Sequence, residues 1–167
     1  MGEGTDSGAD LYTYADDDPI GMIDPTGLFL SPGQQPVTIT GGTPNQRAAV
    51  RNSVNCIFST PRGRDLLNEI IGSPYWPGSP KTIVINNLGL NGALPYGSTI
   101  DLDPDALIGR LIDTTQGLQP LDLTREVGHE MGHAADGRTD PYNIDFNENP
   151  IMRQLGQKYD RIGHKIH

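Results

Sequence analysis

With Cys56 as its one cysteine, the chain cannot form an internal disulfide. Nor can it build a cysteine-based zinc site such as that of the nucleobase deaminases. Cys56 itself reads as a small apolar residue. Cations are scarce as well: 12 lysines and arginines against 21 acidic residues leave a net charge of −9. Nucleic-acid binding depends on neutralising phosphates, and no basic stripe offers that here. The sequence has no basic segment followed by an apolar run at its start, and no apolar stretch approaching the length of a membrane span. The expectation is a protein without a signal peptide, which leaves its cell as part of something larger or through a dedicated machine. Only 35% of residues are hydrophobic, while glycine (21) and proline (14) are abundant. Long loops and short regular elements are therefore expected around one compact domain with a tail.

What is present is concentrated in residues 121–137, LDLTREVGHEMGHAADG. His129-Glu130-Met131-Gly132-His133 is an HExxH pattern. Residues four apart share a helix face, so the imidazoles of His129 and His133 could bind one metal ion together. Glu130 projects near that face, where its carboxylate could take a proton from a metal-bound water. Leu121, Val127 and Met131 supply an apolar back to this helix, Ala134 and Ala135 keep its last turn slim, and Gly137 suits its C-terminal cap. Gly128 and Gly132 cost helix propensity, roughly 1 kcal/mol each relative to Ala. That cost makes sense if a strand or a substrate passes close by.

Along the chain, residues 1–10 read as a small acidic lead, and Leu11 to Ala15 as a short aromatic strand followed by turn formers. Ser31 to Pro36 is a Pro/Gly linker, and Val37 to Thr40 a strand ending at Gly41-Gly42. Thr43 and Pro44 make an N-cap and first helical position for a helix through Ser59, which Pro61 breaks. A second helix is expected from Arg64 to Ile71, stopped by Gly72. Ser73 to Pro80 is a loop holding the only tryptophan, Trp76, read as an aromatic lid over the core edge. Thr82 to Asn86 is the strongest strand, Ser98 to Leu102 another, Asp105 to Ile112 a short helix, and Asp113 to Pro120 a loop.

Residues 19–28, PIGMIDPTGL, match the pattern P-x-x-x-x-D-P-x-G-L at every fixed position: Pro19, Asp24, Pro25, Gly27 and Leu28. This resembles the C-terminal boundary of an RHS-repeat core, where the shell-forming part of a polymorphic toxin ends and its variable toxin domain begins. The resemblance implies that Asp24 takes part in an aspartyl self-cleavage after Leu28. It divides the chain into residues 1–28, the end of the RHS core, and residues 29–167, the toxin domain. Without the core's second acidic residue no cleavage is expected here.

A catalytic zinc usually has three protein ligands and an open position. Downstream of His133 the acidic choices are Asp136, Asp140, Asp145 and Glu148; His164 and His167 sit near an end expected to fray. Asp136 lies on nearly the same helical face as His133 and is better placed to accept an imidazole N–H. The run Glu148-Asn149-Pro150-Ile151-Met152-Arg153-Gln154-Leu155-Gly156, following HExxH, resembles the E-N-x-x-x-R-x-x-G-like stretch of HExxH effector peptidases of type III secretion and their relatives at RHS tips. Those are zinc metallopeptidases, although this chain has a shorter segment before Glu-Asn. Glu148 is expected to open a helix with Pro150 in its first turn and stands first as third ligand, with Asp145 second. Tyr142, Tyr159 and Arg153 are candidates to stabilise an oxyanion.

The expected fold is α+β, a small zincin-like domain with a short sheet and the HExxH helix after its last strand. Ser98–Leu102 is the strand expected at the cleft edge, where it could pair with a substrate backbone. The expected function is Zn²⁺-dependent cleavage of a target-cell protein by a secreted, delivered toxin, with Glu130 as catalytic base and His129, His133 and Glu148 as ligands. The resemblance also implies a cognate immunity protein and the parent RHS shell as partners, with no nucleic acid and no membrane span. From another class, the domain could be a non-catalytic module, metal-stabilised or metal-free, that binds a host or competitor protein.

Overall fold

The structure, a computed structural model, describes residues 37–72, 81–89, 91–94 and 96–167, and of Asp136 the backbone alone. The expected strand at Leu11–Ala15, the boundary motif with Asp24 and Leu28, the division after residue 28 and the Trp76 loop lie outside the described residues. Those that are described form an α+β domain with four α-helices and two small sheets.

Strand β1 (Val37–Gly41) leads through the helices α1 (Pro44–Ser59) and α2 (Pro61–Ile71) to β2 (Lys81–Ile85), which pairs with β1 in parallel. Thr43 starts α1 with a capping box: its hydroxyl accepts from the Gln46 amide at 3.2 Å, and Gln46 Oε1 accepts from the Thr43 amide at 2.8 Å. Such a cap contributes about 1 kcal/mol. α2 begins at Pro61, three residues before the expected Arg64. Thr60 closes one helix and opens the next by accepting from the Gly63 amide, and Pro61 at the first position has no N–H to satisfy.

Next come β3 (Gly92–Ala93) and β4 (Thr99–Leu102). The first sheet has the order β1-β2-β4-β3, with β1, β2 and β4 parallel and β3 antiparallel to β4. The 98–102 segment was expected at the sheet edge; instead β4 is interior, Ile100 and Leu102 buried, and the two-residue strand β3 forms the edge. Gly92 and Ala93 are too small to announce a strand by alternation.

The expected helix at 105–112 is a 3₁₀ turn, Pro104–Leu107, which Asp103 caps by accepting from the amides of Asp105 and Ala106. It runs into β5 (Leu111–Thr114), and the expected loop at 113–120 holds the hairpin strand β6 (Gly117–Pro120). Thr114 secures that turn, its hydroxyl donating to Gly117 O at 2.6 Å and accepting from the Gln116 amide at 3.1 Å. The expected frayed end is also ordered: β7 (Arg161–Ile166) pairs antiparallel with β5.

The metal-motif helix α3 (Leu123–Asp136) is capped by Asp122, which accepts from the Arg125 amide at 2.9 Å, and closed by Gly137 at φ +69°. Val127, Met131, Ala134 and Ala135 bury into one core with α1, α2 and the first sheet. Full burial of a side chain such as Val127 or Met131 stabilises by roughly 1.5–3 kcal/mol. Leu121 packs instead with Leu107 and Ile112 in a second cluster. A π-helical turn (Ile144–Glu148) then runs straight into α4 (Asn149–Gln154), so Glu148 lies inside a helical run and does not open one.

Close approach at Gly132 comes from this last segment, not from a strand. A Cβ there would meet Asn143 Oδ1 at 2.1 Å and Asn147 Nδ2 at 2.6 Å. Asn143 Nδ2 in turn donates to the His129 carbonyl at 2.8 Å, so glycine lets the π-turn lock directly onto the helix carrying the histidines. Gly128 has no such reason, since its added Cβ would meet Ile57 Cδ1 at 3.6 Å and Ile151 Cδ1 at 3.8 Å, both ordinary van der Waals contact.

Candidate metal centre

His129 and His133 occupy successive turns of α3, and the structure brings their Nε2 atoms to 3.2 Å, the rings edge-on at 90°. Each Nδ1 faces an acceptor. That of His129 donates to Glu148 Oε2 at 2.8 Å, and that of His133 to the Arg138 carbonyl at 2.5 Å. An Nδ1 committed as a donor leaves the Nε2 lone pair as the ligating one. Two such lone pairs therefore converge on one point.

Asp140 completes the convergence. After Gly137 caps α3 the chain doubles back, and Asp140 Oδ2 lies 3.7 Å from His129 Nε2 while Oδ1 lies 3.8 Å from His133 Nε2. Ligand bonds of about 2.0–2.1 Å around a tetrahedral ion put donor atoms about 3.3–3.4 Å apart, and the three edges of 3.2, 3.7 and 3.8 Å lie close to that. Asp140 Oδ1 is buried with no hydrogen-bond partner among the described residues. Two imidazole lone pairs and a carboxylate this close require a positive charge between them, a proton or a metal ion.

A further donor comes from β7. His164 Nε2 is 3.2 Å from Asp140 Oδ2, and its ring stacks on His129 at 5.4 Å with 29° between planes. Donor atoms of His129, Asp140 and His164 all lie within 4.8 Å of one another, so this group could hold a metal ion.

Glu148 is buried on the other side of His129, which differs from the expectation that it is the third ligand. Its carboxylate takes the His129 Nδ1–H and is also clamped by Arg125 Nη1 at 2.6 Å and Arg161 Nη1 at 3.1 Å, both guanidinium groups fully buried. Burial alone would raise its pKa, but the His129 hydrogen bond and the charges of His129, Arg161 and Arg125 outweigh that and bring it below the ordinary carboxylate range. Burial likewise disfavours protonated His129. The Glu148 hydrogen bond and the charges of Glu148, Glu130 and Asp140 overcome it, so positive charge is favoured at this ring.

Glu130 is buried beside the cluster, with Oε2 lacking a hydrogen-bond partner among the described residues. Its pKa is pushed up to about 7, chiefly by burial, with the charges of Glu126 and Asp140 adding to the rise and His129 and an Ala93 backbone hydrogen bond opposing it. Glu126, one turn earlier, is also raised by its burial. A carboxyl near 7 can both accept and return a proton at neutral pH.

The other candidates face elsewhere. Asp145 is exposed and Tyr142 largely so. Tyr159 lies under Arg125, whose guanidinium carbon is 5.3 Å from the ring centre, and Arg153 pairs with Asp160 at 2.9 Å. The Asp136 side chain, expected to back an imidazole, is outside the described residues; the Arg138 carbonyl has that role for His133. Sequence reasoning passed over Asp140 and His164. The first carries a usable signal, since a carboxylate soon after a helix-capping glycine can return to the helix end. The second sits in Arg161–Ile166, where two isoleucines give little alternation to read.

Compared with protein-family models and with curated protein sequences, the chain matches none.

Proposed function

We propose that this domain is a zinc-dependent peptidase in which His129, His133 and Asp140 hold the ion and Glu130 is the general base. The observation that carries this reading is the meeting of two Nε2 atoms 3.2 Å apart, each ring's Nδ1 already committed, with a buried oxygen of Asp140 that has no hydrogen-bond partner among the described residues. When bound, a divalent ion supplies Lewis acidity, lowering the pKa of a water toward about 7 and polarising a carbonyl. Beside such an ion Glu130 would serve as base, taking one proton from the attacking water as the water oxygen adds to the carbonyl carbon. The same carboxyl then gives the proton to the amine as the C–N bond breaks, leaving one carboxylic acid and one amine.

A peptide backbone is the substrate class that suits the edge strand β3. Ala93 is hydrogen-bonded to Glu130, and a groove of about 480 Å³ beside it is lined by Asn91 to Leu94, Gly97 to Thr99 and Asp101. An extended chain added to that edge would run alongside Ala93, whose backbone acts on the Glu130 carboxyl. The RHS-like boundary at residues 19–28 supports the wider reading of a toxin domain delivered into a target cell, cleaving a protein there and held in check by a cognate immunity protein.

Metal analysis of residues 1–167 and of His129→Ala tests the centre. One zinc per wild-type chain, lost in the variant, together with proteolysis abolished in Glu130→Gln while zinc is retained, is the expected result. Failure of the wild type to take up zinc would end this reading.

A further inference from the structure

We infer that the peptide accepted along β3 carries a lysine or arginine close to the scissile bond, and that Asp101 is the specificity-determining residue that selects it. The inference rests on the peptidase reading and deepens it by naming the substrate class.

Strand register puts Asp101 on the open face of the first sheet. Ile100 and Leu102 are buried in the core, so the alternating residues Thr99 and Asp101 face away from it and are exposed. Asp101 is the one charged side chain among the described residues that line the groove. All 12 lysines and arginines of the chain lie among the described residues, and none of them pairs with Asp101. Lys81, at the start of β2, is committed elsewhere: it is fully buried on the core side, and its Nζ donates to Gly97 O at 2.7 Å, which holds one wall of the groove. The groove therefore presents an uncompensated negative charge, and its complement is a cation.

Gly92 leaves the way to that carboxylate open. It is the direct partner of Asp101 across the β3–β4 pair, so both present the same face. Its φ is not in the left-handed region, and an added Cβ would meet nothing within 4 Å, so the fold itself does not call for glycine there. What glycine does is remove the one side chain that would stand between the sheet edge and Asp101. Strands lie about 4.8 Å apart, so a strand added beyond β3 sits about 9–10 Å from β4. The stem of a lysine or arginine carries its charge roughly 6 Å out, far enough to cross Gly92 and meet the Asp101 side chain. Shorter polar side chains stop over the glycine. Leu94, 77% exposed, lines the same groove and offers apolar surface to such a stem. The selected residue lies near the cut because Ala93, next along the strand, is hydrogen-bonded to Glu130.

The test uses the whole chain loaded with zinc, as wild type, Asp101→Asn, Asp101→Lys, Gly92→Leu and Glu130→Gln. A randomised, internally quenched peptide library gives the residues enriched around the cut. Peptides differing only in lysine, norleucine or glutamate at the enriched position then give ratios of kcat/KM, which are internal to each variant and so insensitive to a partly folded preparation. The expected result is enrichment of lysine and arginine close to the cut, with lysine favoured over norleucine by about tenfold in the wild type. That ratio should fall to about 1 in Asp101→Asn, which lacks the charge, and in Gly92→Leu, which blocks the crossing, while Asp101→Lys should favour glutamate. Cleavage that Glu130→Gln abolishes but that shows no basic preference, or a preference that survives in Asp101→Lys, would overturn the inference and leave the peptidase reading standing. A wild type that takes up zinc but cleaves nothing would bring down the peptidase reading, and this inference with it.

Discussion

His129 and Glu148 are joined through Nδ1 and Oε2 at 2.8 Å, and the carboxylate that makes this bond is held on its far side by two buried guanidinium groups. The ring is thus oriented by a fully buried, charge-assisted network, not by its own rotamer preference. Such bonds are roughly twice as strong as neutral ones.

Replacing Glu148 by Gln should therefore do two separable things. Stranding Arg125 and Arg161 without their anion is expected to destabilise the metal-free chain by about 3–5 kcal/mol in denaturant melts. Loosening His129 is expected to weaken zinc binding by about 10–100-fold under conditions where the variant is still folded. The stability part has a pH signature. The folded pKa of Glu148 lies below the ordinary carboxylate value of 4.5, so its contribution is present above that value and lost as pH falls through the folded pKa.

Glu130 has the opposite sign. A carboxyl moved from 4.5 to about 7 by the fold binds its proton more tightly in the folded state. Folding therefore pays a cost that grows above pH 4.5 and is complete above about 7, roughly 3 kcal/mol at the upper limit. Metal-free Glu130→Gln should be more stable than wild type at pH 8 and close to it at pH 4. Equal unfolding midpoints at both pH values would show that Glu130 is not burdened in this way.

The two glycines of the motif helix should respond differently to alanine. Gly132→Ala forces a methyl against Asn143 Oδ1, with 2.1 Å between the atoms, and is expected to cost 2 kcal/mol or more, of the order of an overpacked core site. Gly128→Ala meets only ordinary contact and should be neutral or stabilising by up to about 1 kcal/mol, from helix propensity. Thermal melts of both variants decide this.

Zinc should act as a folding ligand. At a free concentration 100 times Kd it is expected to add about 2.7 kcal/mol to stability, with a matching rise in Tm. The same zinc should leave the Tm of His129→Ala unchanged.

The sequence made the motif helix legible because its signals are local: a cap at Asp122, an i,i+4 pair of histidines and a stop at Gly137. The α+β class and the strands at 37–41 and 81–85 were legible for the same reason, from runs of β-branched residues. What could not be read is set by tertiary contact. Gly92 and Ala93 make an edge strand only because β4 is there to pair with. Asp140 and Glu148 are acidic residues of similar appearance in the sequence, yet one faces the Nε2 atoms and the other the Nδ1 of His129. Two buried arginines decide between them, and Arg161 lies on a strand whose partner, β5, is some fifty residues earlier.

That strand ties the chemistry to chain assembly. Through Glu148, Arg161 reaches one edge of His129, and three residues further on His164 covers a face of the same ring. A nascent chain that has produced the HExxH helix but not yet residues 161–166 has one guanidinium on Glu148 instead of two, and an uncovered His129. Peeling this six-residue strand from β5 would have the same effect on the finished protein, so a chaperone or inhibitor could disarm the centre without touching the motif itself.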